Sequence, residues 1–423
     1  MENNTDLISR RNFIKGAALS TGLGLAGLVN SGCPSQRIKD ELCGVRRRIF
    51  STPHSGSLGD YDMKTVIWTS NDLNKIRKPA PLVYISHGFG SFPFGHIDSA
   101  IDLASQGYIV ACPDHKGDKL ILNSILSQLY PGVENIIGGN NEESVNLIME
   151  RLYEEVDNFP EYENLSPSDF MLVLLDKAFD GYLRDNYPEV NQLINDVIDY
   201  RLAESNTSFN QIEEINKKDF FLRGKIDLEN ISLIGHSLGG YTVLGIGGVN
   251  PISNKKEFED SYDFTKYENK IKAIIPQSAV SGNFTQEQIN NSYAPRFWMV
   301  GKLDVPSFNK IPEELFENGT NMPEHFMRIE NGGHSIYDNY ACLGGIGENF
   351  SDSLVEWLET NTGDLIYNFE ASYGPDCSDY QVKQDTIAHY INNFLDYSLY
   401  NNKTSLDNIH IKLPEVLKLK HRE

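Results

Sequence analysis

The chain has 423 residues, of which 40% are hydrophobic and 23% charged, with a formal net charge of −22. That length provides for one large domain or two ordinary ones, and that composition excludes wholesale disorder and a polytopic membrane protein. The acid excess, without Lys/Arg clusters to meet phosphates, argues against a nucleic-acid partner.

The first 33 residues read as an export signal. "SRRNFIK" (Ser9 to Lys15) carries paired arginines and is followed by an apolar, glycine-rich stretch to Val29, the pattern of a twin-arginine signal and too short for an ordinary membrane span. "LVNSGC" ends at Cys33 with small residues before it, a candidate lipidation site that would anchor the chain to a membrane; Asn30 departs from the aliphatic residue usual there. The expected location is therefore outside a bacterial cytoplasm: periplasmic, membrane-anchored or secreted. In such an oxidising compartment Cys43, Cys112, Cys342 and Cys377 could pair in three ways. Cys342 with Cys377 is the preferred pair, and Cys112, which ends an apolar run, reads as a buried thiol. Neither a CxxC pair nor a His/Cys cluster is visible in the sequence to suggest a zinc site.

Beyond this leader the pattern is strand, then helix, repeated. Arg47 to Ser51 and Lys64 to Thr69 are candidate antiparallel strands at one edge. Pro81 to Ser86, Tyr108 to Cys112, Ile231 to Ile234, Ile271 to Ile275 and Phe297 to Val300 are short, continuously apolar runs, as expected of strands buried on both faces. Segments such as His96 to Gln106 and Leu238 to Gly247 can carry crossover helices. The alternation predicts an α/β fold with a mainly parallel central sheet and helices on both faces. From Leu120 to Phe221 the rhythm changes to helical spacing alone, which predicts a helical insertion acting as a lid or a side-packed decoration. The catalytic domain is expected over residues 46–400. A C-terminal helix near Asp379 to Tyr397 should pack on the sheet, and the basic tail "KLKHRE" reads as solvated.

"LIGHSLGGYTV" (Leu233 to Val243) joins an apolar run to a helix through Gly235, Ser237 and Gly239. This is the G-x-S-x-G nucleophile elbow, in which small neighbours let a serine stand exposed on a tight turn. A serine alcohol needs a base, and the base an acid. The order expected after such an elbow is acid, then histidine. Asp304 follows the run at Phe297 to Val300, and His334 lies in the glycine-rich loop of "FMRIENGGHSIY". Asp338 and His325 rank next, His325 poorly because it begins a strand. "SHGFGS" (Ser86 to Ser91) follows the first central strand and suggests the Phe89 and Leu238 amides as oxyanion donors. Phe89 would also form an aromatic wall for substrate, and His87 would brace the loop.

The segments "PLVYISHGFG", "LASQGYIVACPDHKGD", "GKIDLENISLIGHSLGG", "IKAIIPQSAV" and "RIENGGHS" resemble, in order, the α/β-hydrolase superfamily, in particular the platelet-activating-factor acetylhydrolase, dienelactone hydrolase and bacterial polyester hydrolase relatives. The resemblance covers Arg46 to Asp118 and Gly224 to Tyr400. It implies a Ser237–His334–Asp304 triad, oxyanion amides from Phe89 and Leu238, and a small-molecule or lipid ester as partner, with no metal or organic cofactor. Polyester hydrolases usually carry tryptophan at the substrate-contacting position occupied by Val280, which weakens the case for aromatic polyesters. The sequence thus points to an exported carboxylesterase or lipase; a serine peptidase of the same fold, or a binding protein that lost its chemistry, are the alternatives.

Overall fold

The computed structural model describes residues 44–56, 59–72, 79–89, 91–118, 188–249, 262–282, 284–302, 304, 306–320, 323–330, 332–337 and 377–422. The expected leader with Cys33, most of the expected helical insertion, Cys43, Cys342 and Asp338 lie outside them, and the Cys377 side chain is likewise not described.

The apolar runs form one nine-stranded sheet of order β1-β2-β4-β3-β5-β6-β7-β8-β9. The strands are β1 (Val45–Gly56), β2 (Gly59–Ser70), β3 (Ala80–Ser86), β4 (Ile109–Pro113), β5 (Ile226–His236), β6 (Ile271–Gln277), β7 (Arg296–Gly301), β8 (Glu324–Ile329) and β9 (Val416–Arg422). β4, β3, β5, β6, β7 and β8 pair in parallel. The β1–β2 hairpin adds antiparallel strands at one edge, as expected, and β9 adds another at the far edge.

Alternation along the parallel strands feeds two separate cores. Leu82, Tyr84, Leu233, Ile274, Trp298 and Val300 face one side, where helices α2 (Pro188–Lys218), α3 (Leu238–Ile246) and α5 (Pro306–Asn318) pack. Val83, Ile85, Ile234, Ala273, Phe297 and Met299 face the other, against α1 (Ile97–Ser105), α6 (Cys377–Tyr400) and α7 (Lys403–Ile409). The short α4 (Gln286–Asn290) starts with a capping box in which Thr285 and Gln288 bond each other's backbone amides. Helix α1 shows how sequence sets this layering: Ile97, Ala100, Ile101 and Ala104 recur at helical spacing and are buried, while Asp98 and Asp102 are half-buried at its margin, where Asp102 accepts from Asn392 of α6 at 2.7 Å. α6 packs on the sheet through Ile387, Tyr390, Ile391, Phe394 and Leu395. Cys112 is a buried free thiol, in line with its apolar surroundings.

One expectation is corrected. The tail is not a solvated extension, because residues 416–422 form edge strand β9. Lys418 and Lys420 both pair with Glu313 of α5, and Arg422 pairs with the buried Glu324. Charges at alternate positions suit an edge strand with one wet face. Among the described residues no helix is long and apolar enough to cross a membrane.

Candidate active site

Ser237 sits at the junction of β5 and α3 with φ of 55° and ψ of −121°. A non-glycine residue in that region stores strain of about 1–3 kcal/mol. The neighbouring glycines are what make the turn fit. A Cβ on Gly235 would lie 2.1 Å from the Gly239 carbonyl oxygen, and one on Gly239 would lie 2.0 Å from the Ser86 oxygen. The strained conformer is tied down on both sides: the Ser237 amide donates to Gln277 O at 2.9 Å, and its carbonyl accepts from Gly240 N at 2.9 Å and Val280 N at 3.2 Å. Val280 is thus buried directly against the elbow.

Asp304 and His334, thirty positions apart in sequence, meet at the C-terminal ends of β7 and β8. His334 Nδ1 lies 3.1 Å from both Asp304 carboxylate oxygens. This geometry assigns the proton to Nδ1, donating to the carboxylate, and leaves Nε2 as the lone-pair nitrogen. The two loops can converge because glycine permits contact of backbone with backbone: a Cβ on Gly301 would come within 2.4 Å of Gly332 O and 2.7 Å of Gly333 O. His236, the residue before Ser237, fixes the histidine loop to the elbow. Its Nε2–H donates to the His334 carbonyl at 2.9 Å, and the two rings are 4.6 Å apart. Ser237, Asp304 and His334 are all buried, with Ser237 8% exposed. Tyr337, on the same turn as His334, is fully buried, and that burial together with the Asp304 charge holds its phenol well above the usual range.

The loop after β3 lies across the elbow. A Cβ on Gly88 would stand 3.4 Å from Ser237 Cβ, so the loop presents its backbone to the serine. Phe89 follows it, half-buried against the core. Leu238 opens α3, where the first amides of a helix have no intrahelical acceptor. His87 braces this loop as expected: its Nδ1–H donates to Gly88 O at 2.8 Å, and its Nε2 accepts from the His115 amide at 3.2 Å.

Behind the loop lies a polar network that sequence reasoning did not assign. Arg201, on α2, is buried and donates to His87 O at 2.6 Å, to Gly88 O at 2.8 Å and, through Nε, to Asp118 Oδ1 at 2.9 Å. A second guanidinium nitrogen pairs with Asp118 Oδ2. One turn along, Glu204 accepts from the Gly117 amide at 2.8 Å and from the Tyr61 hydroxyl, and contacts His115 Nδ1 at 3.2 Å; His115 Nε2 reaches Ser86 Oγ at 2.8 Å. Burial and the nearby Asp118 charge push the Glu204 carboxyl up to about 8, and burial with the Arg201 charge holds His115 well below its ordinary value. Near neutral pH both groups are therefore uncharged. The consistent pattern is Glu204 O–H donating to His115 Nδ1 and His115 Nε2–H donating to Ser86. This pair is a hydrogen bond between neutral groups, despite its ion-pair geometry.

The signal for this network was present but ambiguous. Arg201, Glu204, Ser205 and Ser208 recur at helical spacing and are all buried, a polar stripe that in sequence looks like a solvated face. His325, the second-ranked catalytic histidine, lies at the opposite end of β8 from His334 and plays no part at this site.

A mainly parallel nine-stranded sheet with helices on both faces, a strained serine on a strand-to-helix turn and a histidine–aspartate pair beyond two later strands are consistent with the α/β-hydrolase fold. Comparison with known proteins narrows the class. The family model for "Platelet-activating factor acetylhydrolase, isoform II" matches residues 47–157, which include the loop after β3 and end before the elbow. The chain is 27% identical to a platelet-activating factor acetylhydrolase of Bos taurus over 39% of its own length and 31% of the relative's. It is 26% identical to the Cavia porcellus protein over 41% of its own length and 33% of the relative's. The chain thus spans about a third of the curated relatives it matches, a distant homology to platelet-activating factor acetylhydrolases.

Proposed function

We propose that this protein is a serine hydrolase that cleaves carboxylic esters, with Ser237 as nucleophile, His334 as general base and then acid, and Asp304 as the group that orients it. The observation carrying this reading is the Nδ1 contact of His334 with both Asp304 oxygens, at 3.1 Å each, on a loop that His236 ties to the serine held at positive φ. Nε2 takes the Ser237 proton as Oγ attacks the ester carbonyl; the Phe89 and Leu238 amides stabilise the oxyanion. Collapse of the tetrahedral intermediate expels the alcohol, protonated from His334. Water, deprotonated by the same histidine, then attacks the acyl-enzyme and releases the acid and the free serine.

The names of the relatives describe an acetylhydrolase, which supports short acyl esters, including an acetyl group carried on a lipid. Val280 packs against the elbow as a small aliphatic residue, in keeping with a compact acyl group rather than an aromatic one. We place the enzyme outside the cytoplasm on the strength of Arg10, Arg11 and the apolar run that follows, with Cys33 as lipid anchor; mass spectrometry showing an unmodified mature N-terminus beyond Cys33 would remove the anchor. Ser237→Ala should abolish hydrolysis of p-nitrophenyl acetate without lowering the melting temperature, and a fluorophosphonate should label the wild type at Ser237 alone. Full activity in the variant would overturn the assignment. A panel of peptides and of esters graded in acyl length separates an esterase from a peptidase.

A further inference from the structure

Three of the ten histidines converge at the edge of the sheet, far from the elbow: His325 on β8, His421 on β9 and His410 at the C-terminal cap of α7. One ring nitrogen from each lies within 4.8 Å of the other two. The rings are 4.1 Å apart for His410 and His421, 5.1 Å for His325 and His421, and 6.1 Å for His325 and His410. Their separation in sequence, 85 and 11 positions by number, hid them from any spacing motif.

The fold produces this convergence in a definite way. His325 and His421 are direct partners in the antiparallel β8–β9 ladder, so both side chains leave the same face of the sheet. The flanking Glu324 and Arg422 leave by the other face, where they pair with each other. His325 is fully buried, its ring 5.6 Å from Phe297 and 5.5 Å from Phe394. His410 follows α7, and the turn after it is fixed by Tyr390, whose hydroxyl donates to Ile411 O at 2.6 Å and accepts from Leu413 N at 3.2 Å. Two ligands are therefore set on a rigid sheet and the third on a pinned turn.

The electrostatics suit a cation that binds lone pairs. Burial, with the charges His421 and His410 would carry, pushes His325 down to about 3, and burial with His410 pushes His421 down to about 4. Both are neutral imidazoles at physiological pH, the form that ligates metal. The two Nδ1 atoms face each other at 2.8 Å, so that one Nδ1–H donates to the lone pair of the other, while the buried Nε2 of His325 has no hydrogen-bond partner among the described residues. A tetrahedral ion with metal–nitrogen bonds of about 2.0–2.1 Å sets its ligand nitrogens about 3.3 Å apart, so the His325–His421 pair need open by only about half an ångström.

We propose that His325, His410 and His421 bind a divalent transition ion of the zinc class, with three imidazole ligands and a water on the side of exposed His410. All-imidazole ligation selects zinc, cobalt, nickel or copper over calcium and magnesium. The ion would clasp β9 and α7 to β8 at the end of the sheet opposite the serine. Its function is structural and independent of the ester chemistry, so either can fail without the other.

The test uses the full chain, stripped with a chelator and titrated with Zn²⁺ by calorimetry, then with Co²⁺ followed by its visible absorption. One ion per chain is expected, with an intense tetrahedral cobalt spectrum and a melting temperature that rises with zinc. His410→Ala, replacing an exposed side chain, should keep the fold and weaken zinc binding at least about tenfold; His410→Ala/His421→Ala should abolish the one-to-one stoichiometry, and Ser237→Ala should leave it unchanged. Absence of binding by the wild type, or zinc binding unaltered in the double variant, would overturn the proposal.

Discussion

The Arg201 guanidinium joins two structures that no local sequence pattern connects: helix α2 and the loop that supplies the proposed oxyanion donor. It spans the Asp118 carboxylate and the carbonyls of His87 and Gly88, the two residues before Phe89. Removing it as Arg201→Ala would take the guanidinium away from a buried carboxylate and from two buried carbonyls, a loss of about 3–5 kcal/mol for breaking such a pair, enough to unfold a marginal protein. Arg201→Lys is the sharper perturbation. It keeps the charge opposite Asp118, but an ammonium cannot reproduce the planar fork that holds carboxylate and carbonyls together. The loop should lose its fixed position while the fold survives. Since deleting an oxyanion donor outright costs about 10²–10³ in turnover, misplacing one should lower kcat by about 10–100-fold with KM little changed. Steady-state hydrolysis of p-nitrophenyl acetate, read beside thermal unfolding and the rate of fluorophosphonate labelling of Ser237, checks this. Lys218→Ala, which removes a surface pair with Glu214, is the control. A folded Arg201→Lys enzyme with wild-type kcat and labelling rate would refute the positioning role; a purely architectural arginine would lower only the melting temperature.

Two further outcomes follow from the same region. Glu204 is raised on folding from 4.5 to about 8, so between those values the native state holds a proton that the unfolded chain has released. Its contribution is complete below about pH 4.5 and is lost as pH rises through about 8, on the order of 5 kcal/mol across the span. Glu204→Gln keeps the acceptor for Gly117 N and a donor for His115 but cannot ionise; denaturant midpoints from pH 5 to 9 should show the variant gaining on wild type as pH rises, and parallel curves would count against a neutral Glu204. Gly239→Ala drives a methyl to within 2.0 Å of Ser86 O and 2.6 Å of His87 O, so it should cost about 1–3 kcal/mol and most of the activity. Gly282→Ala, whose added methyl meets among the described residues only Ile311 Cδ1 at 3.4 Å, should be tolerated, and equal behaviour of the two in melting and ester assays would defeat the steric reading of the elbow.

The central strands, the edge hairpin, helices α1 and α3, the elbow and the histidine and aspartate loops are all legible in the chain as written. Each is a local matter: a continuous apolar run reports burial on both faces, and Gly-x-Ser-x-Gly reports a turn that admits no side chains at its crossing points. Strand β9 was not legible, because Lys418 and Lys420 read as a solvated tail until α5 supplies Glu313 for them to meet. Arg201 and Glu204 read as an ordinary surface stripe until α2 lies against the loop after β3 and takes them out of water. The histidines at 325 and 421 belong together only through the antiparallel register of β8 with β9, and His410 joins them only through the docking of α7 and the turn that follows it. Sequence pattern records which neighbours a residue has along its own strand or helix, and so it determined the layers and the chemistry we propose. Convergence of distant side chains depends on sheet order, register and the docking of helices, and the tertiary structure alone decided it.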